Sequence, residues 1–219
     1  FRSQSLPMDM RFTLTNTSTE VGAMTGYIQP DKITLDWCGP RAKRPMVVHE
    51  TDADFRYESV HEFDVSALAP QVAAPHAPDN VKPLEAVEGT PINQAFLGSC
   101  ANGRLEDLAA AAAIVKGRKV HPDVRFIVTP ASREIFNAAI RAGYIETLNE
   151  ANAIVTNANC GACPGLHGGV LAPGDVAIAC NTRNFEGRMG PNASIYLASP
   201  AAVAASALEG KIVNPIKYL

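Results

Sequence analysis

The 219-residue sequence has no run of about 18 apolar residues long enough to span a bilayer; the apolar string in "LAAAAAIVKG" is broken by Lys116. A soluble, cytoplasmic protein with no membrane partner is expected. It also has no excess of positive charge, with 19 Lys and Arg against 22 Asp and Glu. That balance supplies no field for a polyanion, so nucleic acid is not an expected partner. Aromatic residues make up only 6%, yet 47% of the chain is apolar, too much for intrinsic disorder and enough for an ordinary core. The start, "FRSQSLPMDMRFTL", has neither an initiator Met nor the apolar centre of a signal peptide, and reads as the interior of a longer chain. Cysteine is odd in number, at five, which argues against a secreted disulfide framework and for thiolate chemistry in a reducing compartment. No internal repeat is present.

A moderately helical pattern covers residues 8–28 and ends near Gly26, before the turn "IQPDK". Between about Pro40 and Pro91 the chain is rich in Pro, Asp, Glu and His, and "APQVAAPHAPDNVKP" reads as an extended linker. From Ile92 the pattern becomes regular. "INQAFLG" reads as a strand, "RLEDLAAAAAIVKG" as a helix and "VRFIVT" as a strand. "TPASREIFNAAIRAG" reads as a helix with Thr129 at its N-cap, Pro130 at its first position and Gly143 at its stop. Strands "AIVTN", "VAIACNT" and "SIYLAS" follow, then a helix capped by Ser199 and Pro200 and stopped by Gly210. Alternating strands and helices predict an α/β three-layer sandwich with a mostly parallel sheet covered on both faces over residues 89–219. Residues 1–88 are expected to hold part of a second α/β domain plus the linker.

In open α/β sheets, ligands gather beyond the carboxyl ends of the strands. Cys100 directly follows the first of these strands, Cys160 and Cys163 follow the strand ending near Thr156, and Arg183 follows the strand ending near Cys180. A lone CxxC, as in "NANCGACPGLHGG", is compatible with zinc, a redox pair or neither. The glycines and Pro164 favour an open loop over the helix start that a redox pair uses. Cys100, Cys160, Cys163 and His167 together could hold a structural zinc. Three thiolates without an obvious fourth ligand equally suit a 4Fe-4S cluster in which one iron lacks a protein ligand, a Lewis acid rather than an electron carrier. Cys38 and Cys180 read as ordinary packing residues.

Three spaced motifs, "GSCANGRLEDL" (98–108), "NCGACPGLHGG" (159–169) and "NTRNFEGRMG" (181–190), resemble those of the aconitase superfamily, in particular the large subunits of the isopropylmalate dehydratase and homoaconitase type. "YLASPAAVAASALEGKIVNP" looks like the family's C-terminal stretch, and "SLPMDMRFTLTNTSTEVGAMTGYIQPDK" is similar to the segment in which an Asn precedes an active-site Glu by four residues. The resemblance covers nearly the whole chain but only about the C-terminal half of a typical large subunit. It implies an aconitase-like third domain for the sheet region.

By motif position, the resemblance implies that Cys100, Cys160 and Cys163 hold the cluster. Arg183 and Arg188 would clamp substrate carboxylates in the bidentate manner that suits a guanidinium. Asn16 and Glu20 match the upstream pair, with Glu20 facing the substrate hydroxyl, and Asn102 is placed to donate to cluster sulfides or substrate, or simply to make the turn. His167 is expected to stand behind the ligands or to pack in its loop rather than to be a ligand, and His49, His61, His76 and His121 match no motif. The implied function is that of a hydro-lyase fragment, dehydrating and rehydrating a 2-hydroxy di- or tricarboxylic acid. The interconversion of 2- and 3-isopropylmalate in leucine biosynthesis is the leading case. Homoaconitase, dimethylmalate or citramalate dehydratase, and a non-catalytic metal-stabilised module are the alternatives. The family's N-terminal His and Asp residues, and the swivelling domain that brings the base, lie outside this chain, and that domain is commonly a separate small subunit. Two positions depart from the family pattern: Thr182 stands where an Asn usually precedes the first motif Arg, with Asn181 one step earlier, and Ala101 stands in place of a Thr.

Overall fold

In the computed structural model, residues 6–219 are described; the first five residues of the N-terminal stretch discussed above lie outside them. The chain forms two compact units, one ending at Leu68 and one running from Ala69 to Leu219.

In the first unit, α1 (Met8–Thr17) continues into a 3-10 turn (Ser18–Val21), and α2 (Lys32–Cys38) leads into a second 3-10 turn (Gly39–Arg41). The turn after "IQP" thus opens a short helix that the sequence pattern did not reveal. Asp31 caps it, accepting from the Thr34 backbone N–H at 3.1 Å. Among the described residues up to Leu68 the elements are helical and no strand forms.

The second unit is built on a seven-stranded sheet: β1 (Gln71–Ala73), β2 (Val81–Pro83), β3 (Gln94–Gly98), β4 (Arg125–Thr129), β5 (Ile154–Val155), β6 (Val176–Ala179) and β7 (Ser194–Leu197). The spatial order is β2-β1-β7-β6-β3-β4-β5. The five strands from β7 to β5 are parallel, whereas β1 runs antiparallel to both β7 and β2. "APQVAAPHAPDNVKP" is therefore not a linker: it folds back on itself and extends the sheet, and the boundary between units falls at Leu68/Ala69 rather than at residue 88.

Five helices follow or join these strands: α3 (Ser99–Asn102), α4 (Leu105–Val115), α5 (Arg133–Arg141), α6 (Tyr144–Glu150) and α7 (Pro200–Glu209). α7 has the expected punctuation. Ser199 Oγ accepts from the Ala202 N–H at 3.2 Å, Pro200 opens the helix, and Gly210 leaves it at φ +73°. α5 differs in its start. Its cap is Ser132, which accepts from the Ile135 N–H at 3.2 Å, while Thr129 is the last residue of β4. The residue before a proline is pushed out of the helical region, so Thr129 suits a strand end and the helix begins one short turn later.

Successive strand residues alternate between two cores. Ala95, Leu97, Phe126, Val128 and Ile178 face a layer that includes Leu108, Leu148 and the small residues of α7. Phe96, Ile127, Ala177, Ala179 and Ile195 face a layer made of Ala162, Cys163, Leu171, Met189 and Ala193. The sheet is thus covered on both faces, and its second cover consists of the loop segments that carry the cysteines and arginines. Among the described residues no helix is long and apolar enough to cross a membrane.

Candidate functional site

After β3 the chain moves toward β4 and β5, then returns across the sheet to β6 and continues outward to β7. Connections therefore leave the neighbouring strands β3 and β6 in opposite directions, and in such sheets the crevice beyond that pair is where ligands bind. Cys100 lies in α3, just past β3, and Asn181–Arg188 lie just past β6. The returning connection from β5 carries Cys160 and Cys163.

Close backbone contact builds this edge. Gly98 ends β3 at φ +142°, and a Cβ there would stand 2.1 Å from the Thr129 carbonyl oxygen, so only glycine lets β3 turn sharply into α3. Gly161, between the two cysteines, sits at φ +56° over the Phe96 ring and the Thr129 hydroxyl, where a Cβ would come within 3.0 and 2.5 Å respectively. The loop is thereby laid flat on the sheet. The Gly98 N–H donates to Cys180 Sγ at 3.2 Å, and the Asn102 side-chain amide donates to the Cys180 carbonyl. Both contacts lock the β3 turn to β6. Cys180 itself is fully buried, and that burial, with Asp107 nearby, pushes its thiol far above the usual range. It is a packing residue, in agreement with the sequence reading.

The three motif cysteines have different surroundings. Cys100 and Cys160 are exposed and line one cavity of about 640 Å³, together with Ser132, Arg133, Phe136 and Asn159. Cys163 is only 6% exposed and is held from two sides. Asn181 Nδ2 donates to its sulfur at 3.3 Å; Arg188 donates from Nη2 to the same sulfur at 3.4 Å and from Nε to its carbonyl at 2.7 Å. Among the described residues, no three His, Cys, Asp or Glu side chains form a ready metal-ligand group, and no disulfide ties up the thiols. The donor set nevertheless fits an iron–sulfur group: three sulfurs from two segments, two of them on one cavity, and N–H donors aimed at the third. His167 lies in an exposed stretch of the loop.

The other expected residues are placed as follows. Arg183, half-buried, reaches back to the Thr182 hydroxyl at 3.5 Å. Asn102 spends its amide N–H on the Cys180 carbonyl, a fold contact. In the first unit, Asn16 lies on α1 while Glu20 falls in the 3-10 turn beyond it. Continuous α-helical spacing therefore does not run through the pair; the Thr19 hydroxyl links them, touching the Asn16 carbonyl at 3.4 Å and the Glu20 carboxylate at 3.2 Å. Asn184 is a residue the sequence reading missed. Fully buried, it donates to the carbonyls of Ala74 at 2.9 Å and Ile195 at 3.3 Å, tying the motif arginines to the antiparallel edge. Its place between the two arginines in "TRNFEGR" was the only available signal.

A family model described as the aconitase family (aconitate hydratase) matches residues 2–210. The chain belongs to this family. Among curated relatives, it is 53% identical to a probable methanogen homoaconitase large subunit of Methanothermobacter thermautotrophicus over 97% of its length and 50% of the relative's. It is 50% identical to 3-isopropylmalate dehydratase large subunit 1 of Methanopyrus kandleri, over 95% of this chain and 50% of that one. A 3-isopropylmalate dehydratase large subunit of Sulfurihydrogenibium is 47% identical, over 97% and 49%. The chain thus spans about half the length of the curated relatives it matches, and the motif cysteines and arginines all fall within the matched region.

Proposed function

We propose that this chain supplies the cluster-binding part of a hydro-lyase large subunit acting on a 2-hydroxy di- or tricarboxylic acid, with 2-/3-isopropylmalate as the leading substrate and homoaconitate as the alternative. The observation that carries this reading is the meeting of all three cysteine- and arginine-bearing motifs beyond the β3/β6 switch point, with Cys100 and Cys160 on one cavity. Cys100, Cys160 and Cys163 would hold a 4Fe-4S cluster. When bound, such a group with one iron free of protein ligands supplies a Lewis acid that polarises the C–O bond to be broken.

The chain's own residues then have defined tasks. Gly161, Gly165, Gly168 and Gly169, all at positive φ on either side of Cys163, give the loop a path that residues with a Cβ rarely adopt. Arg183 and Arg188 follow β6 at the same edge, and a guanidinium fork there matches a substrate carboxylate. By motif position Glu20 would face the substrate hydroxyl, with Asn16 four residues before it. The proton at carbon requires a base from elsewhere; the large-subunit names of the relatives support a separate small subunit as its source.

The test is reconstitution of the chain within its full large subunit, with the small subunit, under anaerobic conditions. Iron and sulfide bound in about equal amounts, with turnover of isopropylmalate or homoaconitate, are expected. Cys160→Ser should abolish turnover by at least about a hundredfold while leaving the far-ultraviolet spectrum unchanged. One tightly held zinc without sulfide, or full activity in Cys160→Ser, would overturn the reading.

A further inference from the structure

This chain carries Asn181-Thr182 before Arg183, a threonine standing directly before the arginine. Thr182 is buried and its hydroxyl is engaged by the Arg183 guanidinium. A hydroxyl on that short stem does not offer the two N–H groups that a side-chain amide does. Asn181 does offer them. The residue is 5% exposed, and Nδ2 lies 3.3 Å from the Cys163 sulfur and 3.3 Å from the Arg183 carbonyl. One amide nitrogen therefore ties a motif sulfur to the backbone of a motif arginine. Its Oδ1 is buried without a hydrogen-bond partner among the described residues. Buried amide oxygens are rarely left so, and such an atom marks a place where a further donor belongs. Gln94 and Asn184 each carry an unpartnered side-chain oxygen as well, but of the three amides it is Asn181 that touches a cysteine of the site.

We propose that Asn181 is a positioning residue for the sulfur site: it holds Cys163 through its amide N–H and so determines how firmly an iron–sulfur group is retained. The inference rests on the hydro-lyase reading for the identity of that group. A neutral N–H donor on a thiolate sulfur withdraws charge from it and fixes its direction. An aspartate at 181 has the same shape but replaces the donor with an acceptor that is negative when ionised, next to a thiolate.

The test uses Asn181→Asp and the milder Asn181→Ser, each made in the chain reconstituted anaerobically with iron and sulfide. Wild type, N181D and N181S are compared by the rate of iron loss to a ferrous chelator and by the sulfur-to-iron absorption band. Iron loss is expected to be at least tenfold faster in N181D and about threefold faster in N181S, with the band shifted in N181D and thermal unfolding of the metal-free chains unchanged within a few degrees. If N181D fails to fold, N181S decides alone. Release rates and spectra equal to wild type in N181S, or in both variants, overturn the role of Asn181 while leaving the cluster assignment standing. A wild-type chain that takes up no sulfide with its iron overturns both.

Discussion

The two units use different means to stay folded. In the second, buried apolar side chains occupy both faces of the sheet, among them Phe96, Phe126, Leu97, Leu108, Ile178, Met189 and Ile212. In the first, the only buried side chains among the described residues are Arg11 and Ser18. Arg11 is at its centre. Its guanidinium makes a fork onto both Asp31 carboxylate oxygens at 2.8 and 2.7 Å, and donates to the Thr34 hydroxyl at 2.9 Å and the Leu6 carbonyl at 2.9 Å. Phe12 and Trp37 meet edge to face at 5.3 Å beside it. Farther along, Phe55, Tyr57, Phe63 and Val65 are exposed by half or more. The contrast teaches that volume governs the second unit and charge pairing governs the first, and the two respond to different perturbations.

The largest expected effect is on volume. Phe126→Ala opens a cavity between the sheet and its helical cover and should cost about 3–5 kcal/mol in denaturant unfolding. The first unit's Phe12–Trp37 contact should be untouched, so Trp37 fluorescence and far-ultraviolet signal should cease to report the same transition. Cys180 gives an independent readout. Buried and held neutral, its thiol should react with an aromatic disulfide reagent only as the second unit opens, whereas Cys100 and Cys160 react at once. In Phe126→Ala the slow Cys180 phase should accelerate; an unchanged phase would mean that this cavity does not loosen the sheet.

A middle-sized effect is expected from a single hydrogen bond on the same side. Ser199→Ala removes the acceptor for the Ala202 N–H at the start of α7 and should cost about 1 kcal/mol. It should speed Cys180 labelling far less than Phe126→Ala does. Equal effects from the two substitutions would show that helix ends, rather than packed volume, limit the stability of the second unit.

Much of this arrangement was legible in the sequence where the cause is local. Ser199, Pro200 and Gly210 mark α7 because caps and stops act within one turn. Cys100, Cys160, Cys163 and Arg183 could be placed beyond strand ends because strand–helix alternation fixes which edge a loop leaves, and Arg188 followed from the motif match. The misses are non-local or marginal. Residues 71–83 pair with each other as a short hairpin and join the sheet only where β1 finds β7, through the single register pair Ala73–Leu197, and nothing in "APQVAAPHAPDNVKP" announces a partner more than a hundred residues away. α2 is seven residues long, too short for a periodic signal, and stands on the Asp31 cap and the Arg11 pair. Thr-Pro resembles a helix start and so suggests Thr129 as a cap, whereas the same proline favours an extended Thr129, the last residue of β4. Neither the bond from Asn181 to Cys163 nor that from Asn102 to Cys180 has any sequence signature, since each joins segments that only the folded sheet brings together.

The smallest effect should come from titrating the first unit's ion pair, and its direction follows from the site. The hydrogen bonds from Arg11, more than those from the α2 backbone, hold the Asp31 carboxyl at about 2, below its ordinary 3.8. A carboxylate depressed in the folded state contributes stability that is fully present above its unfolded pKa and is lost as pH falls through the folded one. The first unit should therefore keep its Trp37 signal unchanged from neutrality to about pH 4 and weaken between about 4 and 2. Asp31 is partly open to solvent, so high salt should shrink the effect. Asp31→Asn should remove this acid transition and lower the first unit's stability at neutral pH, because Arg11 stays buried with its fork unmatched. Phe126→Ala should leave the acid transition where it was. If acid instead weakens both units together in wild type, and Asp31→Asn leaves that weakening in place, the pair does not govern the first unit and the division between charge and volume fails.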